Sequence, residues 1–99
     1  MRSCKITVLR KACYPDLIAR YELPQENPCA MEEGQVFVTE GDAKPAGLCD
    51  SAWVTMYPFV LALVNGGAGL YTGWMREEHS ALISCNDGFR PVSFLLEVV

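Results

Sequence analysis

The segment that most constrains this chain runs from Cys49 to Gly67, CDSAWVTMYPFVLALVNGG, where Thr55 is the only strongly polar residue between Ala52 and Val64. A helix built here has no water-loving face, and a helix that is apolar all round has to be buried on nearly every side. A chain of 99 residues makes one domain, 1–99, and small domains bury a smaller share of their surface than large ones. The segment therefore predicts a subunit interface, with the chain itself, as a homo-oligomer, for a partner. Asn65-Gly66-Gly67 supplies a left-handed stop, Asp50 is placed as the N-cap, and Pro58 should kink the helix or split it in two.

The rest of the chain reads as elements that cover this helix. Cys4 to Lys11 alternates, with Cys4, Ile6 and Val8 inward, Lys5, Thr7 and Lys11 outward, and Leu9 out of place on the wet side. That is the pattern of a half-buried strand, with Cys4 as a small core hydrophobe. Pro15 and Asp16 open a short helix with an apolar edge of Leu17, Ile18 and Tyr21, which Pro24 stops. Leu23 to Gly34, including Asn27 and Cys29, is a loop, and Gln35 to Thr39 a second strand. Ala68 to Ser80 is glycine-rich early and charged late, a loop that could serve as a lid. Ala81 to Cys85 and Val92 to Val99 form a hairpin around Asn86 to Pro91, its last strand having Val92, Phe94, Leu96 and Val98 inward and the apolar Leu95 and Val99 outward. The order is β-α-β-α-β-β: an α+β, two-layer sandwich with a four-stranded mixed sheet and helices on one face.

Several classes of function are excluded or disfavoured. A formal net charge of −4, with basic residues scattered, is unsuited to a nucleic-acid backbone. The longest apolar run, Met56 to Val64, is about half of what spans a bilayer, and no signal peptide is visible, so a cytoplasmic location without membrane attachment is expected. Five cysteines, an odd number, fit reduced thiols better than a disulfide framework.

The chemistry-bearing residues are few. Cys49 precedes the helix start, where free backbone N–H groups favour a thiolate. Cys85 ends a strand beside Asp87 and Arg90, and Cys29 lies in a loop able to fold over either. If the central helix crosses the sheet, the three thiols meet at one end. Together with His79 they have the ligand softness for zinc or an iron–sulfur cluster, although no CxxC pair is present. Asp87 and Arg90 bracket a turn in which Asp87 accepts backbone N–H bonds, Gly88 takes a positive φ and the two side chains form an ion pair. Arg90 is also able to present its fork to an anion. Trp53 and Trp74 are aromatic bulk, and Trp74 in its glycine-rich loop could wall a pocket. No Ser-His-Asp order, phosphate loop or dinucleotide fingerprint occurs, so no reaction is named and enzymatic activity stays open.

CKITVL at the start, Cys29 followed by EEGQVF, GLC with Trp53 and Gly66-Gly67, and the closing SCNDGFRPVSF resemble a family of small, uncharacterised bacterial and archaeal proteins of similar length, frequent in anaerobes. The likeness covers nearly the whole chain, and its DG-x-RPV turn is the most specific part. It implies a shared fold and a shared site, and carries no reaction with it. Where the resemblance implies Cys-Cys, this chain has Ser84-Cys85. Three readings follow. The first is a homo-oligomer that binds a small anionic ligand near Cys49, Asp87 and Arg90, with Trp53 and Trp74 beside it. The second is a thiol-based redox or metal protein using Cys29, Cys49 and Cys85. The third is an accessory subunit of a larger enzyme.

Overall fold

A computed structural model describes residues 1–26 and 28–99; Asn27, assigned above to a loop, lies outside the described residues. The chain is α+β, as the sequence predicts. β1 (Cys4–Lys11), α1 (Pro15–Tyr21) and β2 (Val36–Val38) are followed by α2 (Asp50–Val64), a single turn α3 (Leu70–Gly73), β3 (Ser80–Ser84) and β4 (Val92–Val98). The four strands form one sheet in the order β2-β1-β4-β3, with every pairing antiparallel. The expected mixed sheet and β-α-β-α-β-β order are therefore corrected. A parallel neighbour needs a crossover over the sheet, and α1, which buries no residue, is no such crossover. The β1–β2 link instead returns through the loop after α1, and α3 adds an element before β3.

α2 is the crossover that matters. β2 and β3 are the two edges of the sheet, and α2 carries the chain from one edge to the other across β1 and β4. Its buried residues are Ala52, Met56, Val60, Leu63 and Val64, a stripe at helical spacing. They meet the inward residues of the strands: Cys4, Ile6 and Val8 from β1, Ile83 from β3, and Phe94 and Leu96 from β4. The inward Cys4 and the alternation from Cys4 to Val8 stand as read; a bulge between Val8 and Arg10 breaks the period, so Lys11, opposite Val92, does not continue the outward row. One chain alone does not enclose α2 on every side, as the sequence reading expects of so short a chain. Val54 is 69% exposed and Leu61 is also exposed, because the sheet covers only one face of the helix. Pro58 lies inside an α2 that continues unbroken, so the helix is not split. Among the described residues no helix is long and apolar enough to cross a membrane.

The helix ends carry the local signals in altered form. The N-cap is Cys49, not Asp50, and it makes no side-chain cap bond; Asp50 is the first helical residue and pairs with Lys44 at 3.2 Å. At the other end, Gly66 N–H donates to the Leu63 carbonyl at 3.1 Å and Gly67 N–H to the Ala62 carbonyl at 2.7 Å. This is the Schellman arrangement, in which glycine at a positive φ releases the last carbonyls to partners beyond the helix. Gly66 has φ +91, and a Cβ on Gly67 would sit 2.7 Å from the Ala62 carbonyl oxygen. Gly67→Ala is therefore expected to cost about 1–2 kcal/mol of unfolding free energy in urea titration. A loss below about 0.3 kcal/mol would show that the stop is not held by this close approach.

After that stop the backbone takes an unusual course. Tyr71 and Thr72 both have φ of 55, between Gly69 and Gly73, which are also left-handed. Non-glycine residues resist that conformation by about 1 kcal/mol or more each. Tyr71 is held there by stacking on Phe59 of α2, with centroids 5.3 Å apart, and by donating its hydroxyl to the Leu82 carbonyl at 3.0 Å.

Candidate functional site

The N-terminal end of α2 opens into a cavity of about 460 Å³, a volume in the range that holds small molecules. Three separate parts of the chain wall it. The loop before β2 contributes Cys29, the start of α2 contributes Cys49 and Ser51, and the β3–β4 connection contributes Cys85, Asp87 and Arg90. The three thiols that the sequence singles out thus share one cavity, all free and all partly exposed. Cys4 and Cys13 stay apart: Cys4 is in the core and Cys13 on the surface.

Each wall is positioned by a definite local cause. Cys29 is carried by a loop that plugs Met31 into the core, and Glu32 N–H closes the segment by donating to Gln35 Oε1 at 2.8 Å. Cys49 is placed by the first turn of α2, where its carbonyl accepts from Trp53 N–H at 3.0 Å. No side chain caps this end, so among the described residues the first N–H groups of the helix have no side-chain partner. Cys85 closes the hairpin from the inside: its N–H donates to the Val92 carbonyl at 3.0 Å, and Val92 N–H donates to its sulfur at 3.2 Å.

The Asp87–Arg90 turn is half as expected. Asp87 Oδ1 accepts from Phe89 N–H at 2.7 Å and Arg90 N–H at 3.1 Å, which is the capping role predicted for it. The ion pair is different. Arg90 Nη1 lies 2.7 Å from Glu22 Oε1, at the C-cap of α1, and not on Asp87. The cause is geometric: Asp87 is turned toward the backbone of its own loop, which leaves the guanidinium to reach across to α1. Gly88 does not take a positive φ either, since the Asp87 bonds already fix the turn. Nothing local in the sequence announces Glu22 as partner, because the two residues are 68 positions apart.

Other predicted site residues lie elsewhere. Trp53 packs against the core and tilts onto Tyr57, with centroids 5.5 Å apart. Trp74 is 79% exposed and stacks on Tyr71 at 5.9 Å. Neither tryptophan lines the cavity, and no residue between 68 and 80 does, so that loop does not cover this opening. The reason is the left-handed turn, which directs the segment onto Phe59, toward the far half of α2. His79 is exposed, 3.4 Å from Glu78, away from the thiols. Among the described residues no three His, Cys, Asp or Glu side chains come together closely enough to hold a metal ion. The donor set Cys29, Cys49, Cys85 therefore does not fit zinc or an iron–sulfur cluster in this arrangement. Sequence reasoning missed Met31 and Ser51 as walls; Ser51, two residues after Cys49 at a helix start, carries the legible signal.

Comparison with protein-family models, curated proteins and solved structures gave no match to this chain.

Proposed function

We propose that the protein binds a small anionic ligand in the cavity formed by Cys29, Cys49, Cys85, Asp87 and Arg90. The observation that carries this reading is the meeting of three thiols, an uncapped helix start and a guanidinium at one opening. Free N–H groups at a helix N-terminus attract negative charge. Arg90 commits Nη1 to Glu22, and among the described residues its other guanidinium donors have no partner, which leaves them for a ligand. The family resemblance adds to this reading. Its quoted motifs supply Cys29, Gly47, Cys49 and the residues from Cys85 to Arg90, and these segments wall the cavity.

The test is ligand protection read at the cysteines. Under native alkylation followed by mass spectrometry, Cys13 is expected to react fastest and Cys4 slowest; burial pushes the Cys4 thiol up to about 11. Inorganic phosphate or malonate should slow Cys49 and Cys85 at least about threefold, leave Cys13 unchanged and raise the thermal midpoint. If no anion protects either thiol, the reading fails. A second reading, thiol redox chemistry without metal, is favoured by the three free thiols that line one cavity. A disulfide between two cavity thiols after treatment with a low-molecular-weight disulfide would support it, and persistent mixed disulfides with no internal bond would oppose it.

A further inference from the structure

α2 covers one face of the sheet; the opposite face holds Leu9, Val36, Val38, Leu82 and Leu95. Val36 is 51% and Leu82 49% exposed, although an open antiparallel face is usually polar. The register arranges these residues in rows. One row reads Val36, Thr7, Leu95, Leu82 across β2, β1, β4 and β3. In the next, Lys5 of β1 stands opposite Glu97 of β4, at the centre of the sheet. Among the described residues neither charge forms an ion pair within the chain. A bulge between Val8 and Arg10 turns both Leu9 and Arg10 to this side, beside a shallow hollow lined by Leu9, Arg10, Leu82 and Ser93.

We propose that a second copy of this chain packs on this face, sheet against sheet, about a two-fold axis parallel to the strands and running between β1 and β4. That rotation exchanges β1 with β4 and β2 with β3. Lys5 then faces Glu97 of the second copy and Glu97 faces its Lys5. Thr7 faces Leu95, Val36 faces Leu82, and Leu9 is carried over β4 toward the hollow. Stacked sheets lie about 10 Å apart with strands within about 30° of each other, a spacing these side chains fill. The charge pattern is what selects a second copy as the occupant. The face is its own complement under this one rotation, as an isologous contact requires. None of the cavity residues lies on it, so the inference stands or falls separately from the ligand reading.

The test uses two single variants of the full chain. Sedimentation velocity should find the unaltered protein dimeric. Lys5→Glu and Glu97→Lys should each weaken the dimer at least about a hundredfold, because both central contacts become like-charged. Mixing the two variants should restore association as a heterodimer, since each acid then meets a base. Restoration by mixing also shows that both variants fold. Leu82→Asp should give a monomer of unchanged circular dichroism. A monomeric unaltered protein, dimers that persist in the single variants, or variants that stay apart when mixed would each overturn the proposal.

Discussion

Arg90→Met is expected to lower the unfolding free energy by about 2–3 kcal/mol. Glu22 keeps its carboxylate with only 7% of its side chain exposed, and Arg90 is 22% exposed. Removing one member of a buried pair leaves the other charge without compensation, which costs about 3–5 kcal/mol when both are fully buried. The partial exposure of Arg90 sets the lower figure. Urea titration of Arg90→Met, Glu22→Gln and the double variant forms a cycle, and a coupling of at least about 1.5 kcal/mol is expected. Coupling near zero would mean that the pair is a surface contact of little weight. The local effect should be larger than the global one. α1 buries no residue, and Tyr14 N–H on the Phe89 carbonyl is a further tie to this loop. Amide exchange in α1 should therefore accelerate in Arg90→Met well before β1 or β4 responds.

The largest loss is expected from Phe94→Ala. Phe94 is fully buried on β4, a central strand that lies beneath α2. Truncating such a ring removes its burial and leaves a cavity, for about 3–5 kcal/mol. In a domain whose whole stability is about 5–15 kcal/mol, that brings the chain close to unfolding at room temperature. Leu95→Ala, one residue along and on the opposite face, should cost less than about 1 kcal/mol in the isolated chain. Equal losses at the two positions, measured by denaturant titration, would contradict the assigned facing of β4.

What could be read in advance follows from which forces are local. Cys4, Ile6 and Val8 announce β1 because period two is visible in a few neighbouring residues. Asn65-Gly66-Gly67 announces the end of α2 because the stop depends on backbone conformation alone. The convergence of Cys29, Cys49 and Cys85 was legible through topology, since a helix crossing a small sheet brings its start to one end. The strand directions were not. Nothing near Val36 or Val92 states which neighbour it will take, and α1 has the length of a helix without the buried face of a crossover. That Trp74 lies away from this cavity was not legible, because a left-handed path through Tyr71 and Thr72 is not announced by the residue types at those positions. Glu22 stayed hidden because its bond to Arg90 depends on the finished fold.

The three sulfurs of the cavity come from a loop, a helix start and a hairpin, so the opening exists only once the chain has closed. An occupant of the kind proposed above would act as a molecular rivet, tying together segments that drift apart in the denatured ensemble. An occupant at a hundred times its dissociation constant adds about 2.7 kcal/mol of resistance to unfolding. If the proposed anion binds there, the lifetime of this small protein in the cell would track the supply of that anion, with the empty form the first to be cleared by proteases.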